Sequence, residues 1–294
     1  MNEPNQPSPI SEPGSLRLMF RLFLIPLAVV AACVGVYFLF GLITGERQTP
    51  RDYINEIRAG TETRRWQAAY ELASLLSTRT PEELRRQNLA PDLIRVLEDT
   101  GEEDPRVRRY LVLALGRLQD TRGVPTLQGL LEESDGETVI FALWALGNIG
   151  DPSAVGSLTT SLRHSDPGIR KMAAHSLGRI GDPGTIPALR AIMEDPEVDV
   201  TWNAALALSR IGDRNAVDLL VKMIDRDYLD DFPAVEPGRQ DEIIINAVRG
   251  LGLLRVTETR ALLVSLSRED PSTRVRSAAL DSLGEFPSAD PSPP

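Results

Sequence analysis

The sequence predicts an all-α protein: a solenoid of about seven helical hairpins preceded by one transmembrane helix. Three observations predict it. The chain repeats itself at a fixed step, its Pro and Gly residues fall at the same place in each copy, and one long uncharged run precedes the repeats.

The first residues, 1–16, are rich in Pro, Ser, Glu and Asn and have no hydrophobic period, so they read as a disordered tail. Residues 17–45 hold the expected anchor. From Leu22 to Ile43 there is no formal charge, and a helix of that length spans about 30 Å, the thickness of the hydrocarbon core. Val30-Ala31-Ala32-Cys33 is a possible lipoprotein cleavage box, but the apolar run continues past Cys33 through Tyr37 and Phe40. A cleaved signal has a shorter apolar core and a polar mature start, which favours an uncleaved anchor. Arg17 and Arg21 on one flank face Arg47, Arg51 and Arg58 on the other. The positive-inside rule then leans only slightly to a cytoplasmic solenoid. Localisation to the cell membrane, as a single-pass protein, is the expectation.

Residues 46–61 read as a linker and capping helix, with Tyr53, Ile54 and Ile57 as its apolar side. The repeats follow over 62–286. Leu-Gly pairs fall at 115–116, 146–147 and 177–178, Leu208-Ser209 continues the step of 31 residues, and Leu72, Leu251 and Leu283 mark further copies. Self-similarity in the range of about 20–50 residues signals a solenoid. Asp-Pro at 104–105, 166–167, 195–196 and 270–271 opens the first helix of a unit, since Asp caps well and Pro suits the first helical position. Val107, Leu111, Ala114, Leu115 and Leu118 then share one face, the core side. Gly-Asp-Pro at 150–152 and 181–183 makes the turn to a second helix.

The pattern Asp-Pro, Val-Arg, Ala-Leu-Gly-Arg-Ile-Gly-Asp-Pro, Ile-Pro-Ala-Leu resembles the HEAT-like repeat of the phycobilisome-lyase type. The resemblance implies the fold. Members of that family include scaffolds, chromophore-lyase subunits and unusual enzymes, so it does not imply one function. Two insertions interrupt the step. Ser77–Asn88 contains Thr80-Pro81-Glu82-Glu83, a capped extra helical turn, and Tyr228–Arg239 reads as a loop. The tail 287–294 reads as disordered.

Composition narrows the function. A formal net charge of −10 suits phosphate backbones poorly, because affinity there comes from Lys and Arg. Nucleic acid is therefore not an expected partner. Two His and one Cys are too few for a Cys/His metal centre, and no cofactor or small-molecule substrate is indicated. No P-loop, Gly-x-Gly-x-x-Gly or His-Glu-x-x-His is present. His164 and His175 read as solvated or packed, and the pairs Glu132-Glu133 and Asp230-Asp231 as solvated charge. Catalysis is not expected.

Repeats allow columns to be compared within the chain. One slot of the first helix holds Trp66, Arg109, Ile140, Lys171, Trp202, Ile245 and Ser277, and the slot four residues on holds Tyr70, Leu113, Trp144, His175, Leu206, Arg249 and Asp281. Both slots lie opposite the core stripe. Exposed aromatic and aliphatic rows mark interaction surfaces. The candidate protein-binding residues are thus Trp66, Tyr70, Leu113, Ile140, Trp144, Trp202 and Leu206, with Tyr228 and Phe232 of the second insertion. Packing between hairpins or under an insertion is the competing account of the same residues. In similar solenoids the second helices line the concave face, and here they carry Gln128, Ser157, Ser161, Arg190, Asp218 and Lys222. The expected function is a membrane-anchored scaffold or regulatory subunit binding a membrane-associated protein. A chromophore-lyase-type subunit and a passive spacer are the alternatives.

Overall fold

The computed structural model describes residues 23–44, 49–99, 104–233 and 235–286. The expected tails at 1–16 and 287–294 lie outside them. The chain divides into two compact units, Met1–Thr49 and Pro50–Pro294.

In the first unit, helix α1 runs Ile25–Thr44. Its side chains are described from 26 to 36, where they are exposed. Among the described residues no helix is long and apolar enough to cross a membrane. The expected span over 22–43, and with it the single-pass membrane localisation, is overturned.

The second unit is helical, with no strand among the described residues. Helix α2, Pro50–Ala59, buries Ile54 and Ile57 and packs on the first repeat helix, α3, Glu62–Ser77. The first insertion forms α4, Pro81–Gln87, with the capping box between Thr80 and Glu83. The remaining helix of unit one is α5, Ala90–Asp99. Units two to five follow as α6 (Pro105–Leu118) with α7 (Val124–Gly129), α8 (Gly136–Ile149) with α9 (Val155–Ser161), α10 (Pro167–Ile180) with α11 (Ile186–Ala191), and α12 (Val198–Ile211) with α13 (Val217–Met223). The second insertion is not all loop. It contains a short α14, Arg226–Asp230, and its end joins α15, Pro237–Leu254. Helices α16 (Arg260–Glu269) and α17 (Thr273–Leu283) complete the array.

Local chemistry fixes the boundaries. Asp104 and Asp166 cap α6 and α10, with Pro next in line. The Asp-Pro pairs at 195–196 and 270–271 do not cap their helices, which start two residues later than expected. Helix α12 starts at Val198 after Glu197, and α17 at Thr273 after Ser272. Asp195 and Asp270 instead accept the amide two residues on, and each also takes an arginine from an earlier element. At the hairpin turn Gly150, Gly181 and Gly212 have φ of 76°, 77° and 89°, a left-handed conformation glycine adopts without a Cβ clash.

The core runs unbroken through the array, from Ile54 to Phe286. Its two helical layers are packed differently. The first helices α3, α6, α8, α10 and α12 lie side by side in close contact, whereas second helices of neighbouring units scarcely touch one another. The Leu-Gly pairs explain the closeness. A Cβ on Gly178 would lie 2.6 Å from Ala207 Cα, one on Gly147 2.6 Å from Ser176 Cβ, and one on Gly116 2.7 Å from Ala145 Cβ. The first helices therefore form the closely packed layer of the array, and the shorter second helices form the other.

Candidate functional site

The two candidate slots lie on the open side of the first-helix layer, four residues apart and so one above the other on each first helix. A depression of about 430 Å³ crosses four successive first helices, bordered by Trp144, Lys171, His175, Trp202, Leu206 and Glu242 among others. A second hollow of about 470 Å³ continues it between α15 and α17, sharing Glu242 and Asn246. Met172, Asn203 and Asn246 also line the groove. They occupy the position after the first slot in units four, five and six, so the repeat columns already held them. Sequence reasoning missed them because it looked for aromatic side chains.

The nine candidates separate into three groups. Trp66, Leu113, Ile140, Trp144 and Leu206 are half-buried, and Tyr70 is exposed. Two of the rings carry a guanidinium, Arg106 at 5.7 Å from the Trp66 centroid and Arg117 at 5.1 Å from that of Trp144. Tyr70 meets Tyr110 edge-on at 5.4 Å. Trp202 differs, with only 3% of its surface exposed. Tyr228 and Phe232 are the reason. Phe232 stands edge-on to Trp202 at 5.4 Å, and Tyr228 edge-on to Phe232 at 5.2 Å. Trp202 is thus a packed residue beneath an insertion and not an exposed anchor. No property of residue 202 or its column signals this, because the cover comes from 30 residues downstream.

Most charges in the groove are already matched. Arg239 donates to Asp199 at 2.8 and 2.6 Å, and Lys171 reaches the same carboxylate at 3.5 Å. Arg274 lies 3.9 Å from Glu242. Burial pushes the His175 imidazole down to about 4, with Arg210 and Arg179 acting in the same direction. It is therefore neutral near pH 7. His164 is exposed, and its Nδ1 accepts the amide of Asp166. Among the described residues no three His, Cys, Asp or Glu side chains come together as a metal site.

The polar side chains of the second helices are engaged elsewhere. Gln128 donates to Ser157 Oγ and the Ser153 carbonyl, and Ser161 bonds within its own helix. Arg190 makes a two-pronged contact with Asp213, at 2.6 and 2.9 Å, and holds that carboxyl down at about 2. Similar bonds tie unit to unit elsewhere. Arg170 grips Asp195 through two bonds of 2.8 Å, and Arg109 grips Asp135. Glu133, of the expected solvated acid pair, is bound by Arg108, and Asp230 accepts from Gln240. Asp218 and Lys222 remain exposed on the outer layer.

Known proteins agree with this architecture. The HEAT-repeat family matches residues 90–168, 125–200 and 158–232. No curated protein matches the chain in sequence. Among solved structures, the chain is similar to the complex of CpcE and CpcF of phycocyanin lyase from Nostoc sp. PCC7120, with 22% identity, a TM-score of 0.58, and coverage of 81% of this chain and 88% of that one. At that identity the likeness is one of fold. A designed armadillo repeat protein in complex with the peptide (KR)4 is similar at 15% identity and a TM-score of 0.45, over 81% of this chain and 99% of that one. Residues 90–232 match the HEAT-repeat model, and the array that contains them is a helical solenoid like that of the lyase complex.

Proposed function

We propose that the chain is a non-catalytic interaction scaffold whose first-helix groove receives an extended segment of a partner protein. The observation that carries this reading is the continuous groove itself. It crosses the first helices of units three to six and offers Trp144, Met172 and Leu206 beside the amides of Asn203 and Asn246. Apolar side chains supply desolvated anchoring area, and uncharged amides can bond a partner's main chain without a charge to desolvate. The charges nearby are matched among themselves, and His175 is neutral. Recognition by shape and amide bonding, with weak dependence on salt, follows from that balance.

The test compares crosslinked purifications of wild type, of Trp144→Ser/Leu206→Lys in the groove, and of Asp218→Ala/Lys222→Ala on the outer layer. All three are first matched for helicity and melting. A partner retained by wild type and the outer variant, but weakened at least about tenfold by the groove variant, is the expected outcome. Equal retention by all three would remove the groove reading.

A further inference from the structure

The first slot contains tryptophan twice, at Trp66 and Trp202, and the two have different surroundings. Trp66 is half-buried under Arg106. Trp202 is covered by an arm of the chain, residues 228–233, which reaches it through the Phe232 ring. The cover is imperfect in two ways. The Trp202 indole N–H is buried with no hydrogen-bond partner among the described residues, which costs free energy wherever it occurs. A cavity of about 300 Å³ also remains beside the arm, between Phe232, Pro233 and Val235 on one side and Pro167 and Val198 on the other. Close by, Arg239 clasps Asp199, but both side chains are substantially exposed, 44% and 33%. An exposed pair of this kind holds weakly.

We propose that the Phe232 end of this arm, residues 231–233, which follow the core-buried Leu229, is an intramolecular ligand of the groove, seated on Trp202 in place of a partner segment. The segment that displaces them presents an aromatic side chain to Trp202 and a main-chain carbonyl to its unpaired indole N–H. This rests on the reading of the groove as a protein-binding site and names the chemistry of its occupant. Wherever the arm is seated, it lowers the apparent affinity for any such segment in proportion to the open fraction.

The experiment uses the full chain with its three tryptophans replaced biosynthetically by 5-fluorotryptophan, so that fluorine NMR follows each one. The probe is a blocked peptide, Leu-Asp-Asp-Phe-Pro, which is the arm's own sequence from 229 to 233. It is titrated into wild type and into Phe232→Ala/Arg239→Ala. The Trp202 resonance of the variant should shift saturably, with a midpoint at about tenfold lower peptide concentration than in wild type. Leu-Asp-Asp-Ala-Pro should leave it unmoved. If the double variant does not fold, Arg239→Gln alone serves, with a smaller but still measurable ratio. Equal midpoints in wild type and variant would overturn the proposal. A shift of Trp144 with Trp202 unmoved would also overturn it while leaving the groove reading intact. No shift of any resonance in either protein would remove both.

Discussion

The inner and outer helical layers differ in the length of their helices. The inner helices of units two to five run fourteen residues each, such as Pro105–Leu118 and Pro167–Ile180, while their outer partners run six or seven. The inner layer is glycine-to-backbone close at Gly116, Gly147 and Gly178, whereas Gly129 and Gly156 of the outer layer have open space around them. The same residue type thus has opposite meanings in the two layers. In one it is a spacing device that sets the separation of the helices under the groove, and in the other it is a tolerated gap.

Substitution sharpens that contrast. Gly178→Ala forces a methyl to within 2.6 Å of Ala207 backbone, and overpacking of this kind costs about 1–3 kcal/mol. Urea denaturation should show the midpoint falling by the matching amount. An unchanged midpoint would mean that the inner layer can spread, and would break the account of its close packing.

A smaller effect belongs to His175 on the inner layer. Its folded pKa, about 4, lies below an unfolded value of about 6.5. The unfolded state therefore binds a proton first, and the stability due to the neutral imidazole is fully present above about pH 6.5. It is lost as pH falls toward about 4. Asp213, held down at about 2 by Arg190, loses its contribution only at lower pH. Melting profiles should show wild type falling between pH 6.5 and 4, and His175→Leu flatter across that window. Parallel profiles would show that His175 is not the group responsible.

The smallest effect is expected outside. Gly156→Ala meets no neighbour within 4 Å, and removing backbone freedom in a helix stabilises by about 0.5 kcal/mol. A rise in melting temperature of a degree or two is expected. Destabilisation would show the outer layer to be tighter than described.

Much of the fold was legible in the sequence because a repeat writes its own alignment. The recurrence of Leu-Gly located the first helices, and Gly-Asp-Pro located the turns with their left-handed glycines. The capped turn at Thr80-Pro81-Glu82-Glu83 was equally readable, since its bonds span three residues. Relations between units were not legible. A helical wheel places Trp66 and Trp144 opposite the core, yet says nothing of which layer is drawn together. Trp202 was placed on an open surface because Phe232 reaches it from 30 residues away, beyond any local pattern. The apolar run of α1 was legible as composition, but composition did not yield a membrane-crossing helix among the described residues.

The glycine contacts have a mechanical corollary. Because consecutive inner helices meet backbone to backbone while outer helices scarcely touch, the array has a stiff spine and a compliant rim. It should flex as a leaf spring does, about a neutral line that runs through Gly116, Gly147 and Gly178. Bending then fans or closes the outer helices and leaves the spacing of the groove floor unaltered. A segment lying along that floor would stay in register with the residues that hold it while the two ends of the array swing.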